Sequence, residues 1–211
     1  MEEKLLNVSS SPHVRDHSST KSIMRDVVIA LLPAALVGIY NFRLSAVLVI
    51  LTTCVTCMLS EYIWQKCMKQ PVTTGDFSAL LTGLLLALNL PATIPLWMCV
   101  VGGVFAIIVA KQMFGGLGQN FMNPALGARC FLMISFTSLM TNFNCDTYTG
   151  ATPLAALKAG ERVDVMDMII GRTAGTIGET SMVALIIGAC ILILLGVIDL
   201  KVPGSYIVTF V

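Results

Sequence analysis

Residues 77–110 contain no charged side chain. A run of that length has few options in water, because a soluble helix needs a polar face along its solvent side. In a bilayer the same run is long enough for a spanning segment, which takes about 20 residues. The rest of the chain agrees. Of its 211 residues 56% are hydrophobic and 12% charged, with a mean hydropathy of +0.85, whereas soluble domains carry about 25% charged residues. The apolar excess is expected to face lipid. The net charge of +1 makes no case for a nucleic-acid partner.

Charge-free windows predict the spans. Residues 27–42 lie between Asp26 and Arg43, and residues 44–60 between Arg43 and Glu61. Both are near the lower limit of about 17 residues, and flanking basic side chains can snorkel to extend them. Pro33 is a candidate kink in the first. Pro91 and Pro95 divide the long run into a short helix over 77–90 and another over 95–113 that opens on proline. A glycine-rich break, Gly115-Gly116-Leu117-Gly118-Gln119-Asn120, follows. Asn123-Pro124 then reads as N-cap and first helical residue of a helix over 124–141. A polar loop over 142–180, a sixth helix over 181–199 and the start of another span over 202–211 complete the pattern. The expected fold is all-α: a polytopic transmembrane helical bundle with short or broken helices, about six spans plus the start of another. Its parts are an N-terminal segment 1–25, a five-helix unit 26–141, the loop 142–180 and the start of a second helical unit at 181–211. An end inside an apolar segment suggests a partial chain. No signal peptide and no internal repeat are visible.

Lys4, Arg15, Lys21 and Arg25, then Lys66 and Lys69, then Lys111 and Arg129, then Lys201 fall on one side if the crossings alternate. Excess Lys and Arg mark the cytoplasmic side. The N-terminus is therefore expected in the cytoplasm and the 142–180 loop outside, with Arg43 as the basic exception.

That loop reads Asp146-Thr147-Tyr148-Thr149-Gly150-Ala151-Thr152-Pro153. Its threonine hydroxyls stand among Gly and Ala, and Pro153 steers Thr152 away from helical geometry. Such a hydroxyl can accept a phosphate ester, and nothing bulky nearby obstructs a modifying enzyme. On composition alone an ordinary Thr/Gly turn is the better account.

The pattern Asp146-x-x-Thr149-Gly150-Ala151-Thr152 resembles the flavinylation motif read by ApbE-type FMN transferases, and its surroundings resemble the NqrB/RnfD family. The likeness extends to Ser11-Pro12-His13 through Ile23-Met24-Arg25-Asp26, to Gly75-Asp76-Phe77-Ser78-Ala79-Leu80, and to Phe114-Gly115-Gly116 through Asn123-Pro124-Ala125. It implies FMN held through its phosphate on Thr152, with Asp146, Thr149, Gly150 and Ala151 as the recognition motif. It also implies a bacterial or archaeal plasma-membrane complex with partner subunits A, B, C, E and G. In that family electrons pass between ferredoxin and NAD while Na⁺ or H⁺ crosses the membrane, so this chain would supply one relay rather than the whole reaction. In the NqrB relatives asparagines matching Asn120 and Asn123 are associated with a second, non-covalent flavin, riboflavin. Helix packing and an N-cap account for these two residues equally well, Asn123 especially.

Asp26, Glu61, Asp76, Lys111 and Asp199 sit at predicted helix ends, where solvation at the boundary is the simpler account than a role within the membrane. Asp76 is the best placed of them for a cation. Cys54 and Cys57 share a helix face but make too small a set for a cluster, so helix packing is the expected role. The seven scattered cysteines do not suggest a disulfide framework. His13 and His17 are assigned no metal. Two rival readings stay open: a secondary transporter or channel, since broken helices and glycine breaks also mark transporter sites, and an assembly subunit without a cofactor.

Overall fold

A computed structural model describes residues 19–143, 153–160, 165–171 and 173–210. The described residues form helices and connecting segments, with no strand among them.

The first element, α1, runs Thr20–Cys67 and turns at Arg43, whose φ of 52° and ψ of −130° are not helical. Its limbs, 20–42 and 44–67, are each about 35 Å long at 1.5 Å per residue, enough to cross a hydrocarbon core of about 30 Å. The two helices expected on either side of Arg43 are both present and both longer. Charge-free windows mark the stretch that lipid can cover, whereas the helix continues through Lys21, Arg25, Asp26, Glu61 and Lys66. Ser19 caps the start, its side chain accepting from Ser22 N. Pro33 lies inside the first limb, and the non-helical backbone is at Arg43 instead.

A 3₁₀ turn at Thr74–Asp76 leads into α2, Ser78–Leu88. Next come α3, Leu96–Val104, and a π-helical turn at Phe105–Val109 that continues its path. Together with the following 3₁₀ turn, Leu96–Phe114 is the second helical stretch, after α1, long and apolar enough to cross a membrane among the described residues. The helix expected over 124–141 is broken: α4, Pro124–Ser135, and the short α5, Thr137–Met140, are separated by Phe136 at φ −136°, ψ 50°. The 142–180 segment, expected as a plain loop, contains α6, Pro153–Lys158, and α7, Val165–Ile170. The sixth helix is shorter than expected, α8, Met182–Leu194, and the last apolar segment is α9, Lys201–Phe210.

Helix α1 is the spine, packed by α2, α3 and α8. Small residues let the backbones approach. A Cβ on Gly188 would lie 2.5 Å from the Ala30 carbonyl oxygen, and one on Gly83 would lie 2.8 Å from Cys54 Cα. Where lipid offers no hydrophobic drive between helices, such close packing supplies the association. Cys54 and Cys57 are both buried in this packing.

The eleven residues of α2 reach only about 16 Å, so its last carbonyls end inside the protein. The segment before α8 meets them there. Ile177 N donates to Leu90 O at 3.1 Å and Gly178 N to Leu88 O at 2.8 Å. Irregular backbone at membrane depth is tolerated where it is buried in protein, and Ile177 is fully buried. Asn41, at the end of the first limb of α1, ties down the same segment through Gly171 O and Thr180 Oγ1.

Candidate functional site

Asp146, Thr149, Gly150, Ala151 and Thr152 lie outside the described residues, as do His13 and His17. Both flanks of that motif segment are described. Phe143 precedes it, and Pro153 follows as the first residue of α6, a position that suits proline because the missing N–H has no helical partner to lose. Phe143 and Pro153 line one cavity of about 520 Å³, together with Leu154 of α6, Met168 of α7, Thr173 to Gly175, Glu179, Thr180, and Met182 and Leu185 of α8. Glu179 is held from the side by Arg129 of α4 at 3.6 Å, and Arg129 also donates to Asn89 Oδ1 at 2.7 Å.

The Gly115–Asn123 break is folded around its own backbone. Gly115, Gly116 and Gly118 have φ of 107°, 90° and 88°, conformations that side chains on Cβ disfavour. The Asn120 amide, oriented to satisfy its surroundings, donates to Gly116 O at 2.9 Å and Lys111 O at 3.1 Å. Asn123 caps α4, its Oδ1 accepting from Ala125 N at 3.0 Å and Leu126 N at 3.5 Å. Asn120 therefore closes the loop while Asn123 starts a helix, and these bonds do not bring the two amides onto one site.

The most heavily buried ionic group has no counterpart in the linear reading. Glu61 and Lys111, expected as solvated boundary residues, are 1% and 2% exposed and paired at 2.6 Å. Lys111 Nζ also donates to Ser78 Oγ at 2.6 Å, and Gln112 Nε2 donates to the same Glu61 Oε1 at 2.7 Å. Asp76 Oδ1 accepts from Ser78 N and Oγ at 2.9 and 2.7 Å. Its 3₁₀ turn ends at Phe77, whose φ of 65° is unusual for a bulky residue. One chain of bonds thus joins the second limb of α1, the start of α2 and the end of the α3 path. The other oxygen of Glu61, Oε2, is buried without a partner among the described residues. Glu61, Lys111, Gln112 and Asp76 line a second cavity of about 450 Å³ with Gln65, Thr73 and the glycines 115 and 116. A buried carboxylate oxygen can accept a hydrogen bond from a water or an ammonium, or coordinate a cation. The sequence holds one signal for this pairing, two opposite charges each terminating an apolar run, but nothing linear says that residues 50 positions apart meet. Asp26 pairs with Arg25 and Asp199 with Lys201, the latter exposed, as expected of boundary residues.

Arg129 and Lys111 also alter the charge count. Both are expected among solvated cytoplasmic cations, yet Lys111 is buried and Arg129 bridges α2 to Glu179 of the segment assigned to the opposite side. Neither is a loop charge in the sense of the positive-inside rule, which applies to residues in flanking loops.

The chain is similar over 99% of its length to the D subunit of the Na⁺-translocating ferredoxin:NAD⁺ oxidoreductase complex of Acetobacterium woodii, at 48% identity, covering 69% of that protein. It is 39% identical to the D subunit of the proton-translocating ferredoxin:NAD⁺ oxidoreductase complex of Clostridium ljungdahlii, over 96% of this chain and 66% of the relative. The D subunit of the ion-translocating oxidoreductase complex of Aliivibrio salmonicida is 44% identical over 64% of this chain and 39% of its own length. The chain therefore spans about two thirds or less of the relatives it matches. The profile of the NQR2, RnfD, RnfE family covers residues 7–211, and the chain belongs to that family.

Proposed function

We propose that this chain is a membrane electron-transfer subunit of an ion-translocating ferredoxin:NAD⁺ oxidoreductase complex, carrying FMN esterified to Thr152. The observation that carries the reading is the Asp146–Thr152 motif, placed directly after a membrane helix in a member of this family. Relatives named as the D subunits of Na⁺-translocating and of proton-translocating complexes support the redox setting and leave both ions open. The partners are the other subunits of such a complex, A, B, C, E and G, and an FMN transferase for maturation. The N-terminus faces the cytoplasm and the Thr152 segment the outside.

In maturation the Thr152 hydroxyl oxygen bonds to the flavin-side phosphorus of FAD. The pyrophosphate bond breaks, AMP leaves, and the hydroxyl proton passes to base. The residues beside the motif suit the group. The cavity at Pro153 falls within the roughly 300–1,000 Å³ of small-molecule sites, its walls are mainly apolar, and Thr173, Glu179 and Thr180 offer polar atoms. Bound flavin exchanges electrons singly or in pairs, linking one-electron and two-electron carriers. The protein's own part is to fix position and polarity: α6 starts immediately beyond the ester, and the Arg129 guanidinium faces the Glu179 carboxylate of the cavity lining at 3.6 Å. A second flavin, riboflavin, at the Gly115–Asn123 loop would rely on the loop backbone and the 450 Å³ cavity, since the Asn120 nitrogen and Asn123 Oδ1 are already engaged.

The test is co-expression with an FMN transferase, followed by a denaturing gel viewed under ultraviolet light. A fluorescent band that disappears in Thr152→Val is the expected result. A chain that gives no band favours a transporter-like or purely structural subunit.

A further inference from the structure

We propose that Arg129 is an ion barrier: a tethered cation set where two elements that each cross only part of the bundle meet, which keeps small cations from passing between them. This role is independent of any flavin on Thr152. Helix α1 folds back at Arg43, so Thr20 and Cys67 lie at one end of the bundle and Arg43 at the other. Helix α2 enters from the Cys67 end, where its first residue, Ser78, meets Lys111 and through it Glu61. The segment before α8 enters from the Arg43 end, where Asn41 holds Gly171 O and Thr180 Oγ1. It reaches inward to Gly38, at which a Cβ would stand 2.5 Å from Ile177 O. The two elements meet at Leu88 and Leu90, which brings polar groups into the middle of an apolar bundle, as the broken helices of transporters do.

A polar stripe runs along α2 toward that junction. Ser78, Thr82 and Asn89 are the polar side chains between positions 78 and 89, and at about 100° per residue they fall within roughly 40° of one another. Each end of the stripe is bonded to a basic residue from another element. Lys111 Nζ donates to Ser78 Oγ at 2.6 Å, and Arg129 Nη1 donates to Asn89 Oδ1 at 2.7 Å. Each end also has a carboxylate beside polar space. Glu61 and Asp76 line the cavity at the start of α2, and Glu179 lines the one beyond its end. Carboxylates at both cavities attract cations, so the stripe between them is a leak path unless positive charge stands on it. Asn89 Nδ2 donates to Leu85 O at 2.8 Å, which turns Oδ1 toward the guanidinium. Glu179 Oε1 lies 3.6 Å from Arg129, beyond hydrogen-bond range, so Asn89 sets the guanidinium's place. A cation at the C-terminal end of a helix is favoured by the helix dipole, and an arginine lining a pore repels protons and other cations.

The test uses the full chain reconstituted in vesicles of phosphatidylethanolamine and phosphatidylglycerol. Na⁺ influx is followed with a trapped sodium indicator, and release of trapped labelled sucrose tells a damaged bundle from an opened one. Arg129→Gln removes the charge and keeps a hydrogen-bonding side chain. Asn89→Ala frees the guanidinium from its anchor. Glu179→Gln removes the facing carboxylate and leaves the barrier, and Lys158→Gln removes an exposed charge elsewhere. The unaltered chain, Glu179→Gln and Lys158→Gln are expected to hold Na⁺ out. Arg129→Gln is expected to raise influx about tenfold, and Asn89→Ala by a smaller factor, both with sucrose retained. Influx in Arg129→Gln equal to that of the unaltered chain overturns the barrier. An equal rise in Glu179→Gln overturns it too, because the pair would then be a structural tie. Sucrose released along with the Na⁺ leak in both Arg129→Gln and Asn89→Ala also overturns it, as a general loss of packing. If Arg129→Gln does not fold, Asn89→Ala decides alone, and tight vesicles count against the barrier.

Discussion

The decisive residue-scale feature is the Glu61–Lys111 pair, closed to solvent and joined by Ser78 and Gln112. Removing one partner of a buried pair leaves an uncompensated charge and costs about 3–5 kcal/mol, whereas replacing both is far milder. Lys111→Met is therefore expected to lower the detergent-phase unfolding temperature sharply, and Glu61→Gln combined with Lys111→Met to recover most of the loss. Equal loss in single and double variants would remove the pair from the account. Asn123→Ala removes the cap of α4 and is expected to cost about 1 kcal/mol in the same assay. These two sites also separate what a sequence discloses from what it hides. The Asn123 cap depends on neighbours two and three residues away, so it is readable directly. The Glu61–Lys111 pair depends on three elements packing together, and a linear reading leaves both charges in solvent. The motif at Asp146–Thr152 is legible only through family likeness, since Thr, Gly and Ala on a loop do not by themselves specify a cofactor.

At the scale of elements, small residues set the distances. Gly83 brings α2 against the second limb of α1, and a Cβ there would stand 2.8 Å from Cys54 Cα. Backbone cannot yield as a flexible side chain can, so Gly83→Ala is expected to destabilise by about 1–3 kcal/mol, as overpacking does. Thermal unfolding in detergent reads it, and an unchanged midpoint would mean that the helices are farther apart. The existence of the helices follows from charge-free windows, and the turn between the first two falls at Arg43 as expected. Their ends do not follow, because helices run on through charged residues once these leave the lipid. The break at Phe136 and the shortness of α8 have no sequence marker, and α6 and α7, six residues each, are too short to show a helical period.

For the whole molecule, the short helix α2 and the segment 173–178 meet in the interior and satisfy each other's backbone groups. The charge count that orients the bundle loses Lys111 and Arg129, yet keeps Lys21, Arg25, Lys66, Lys69 and Lys201 at helix ends. Lys158, exposed on α6, is thus expected outside. A cysteine in its place should react with an impermeant thiol reagent added to intact cells, and protection there would invert the topology. Moving a charge against 100 mV requires about 2.3 kcal/mol, so the electron relay proposed for this chain needs a usable drop in energy. That role depends on whether the bundle carries a flavin, and peptide mass spectrometry addresses this most directly. In protein co-produced with an FMN transferase, the peptide containing Thr152 is expected to carry the mass of FMN less water, with fragmentation placing it on that residue. The same peptide found wholly unmodified would contradict the account.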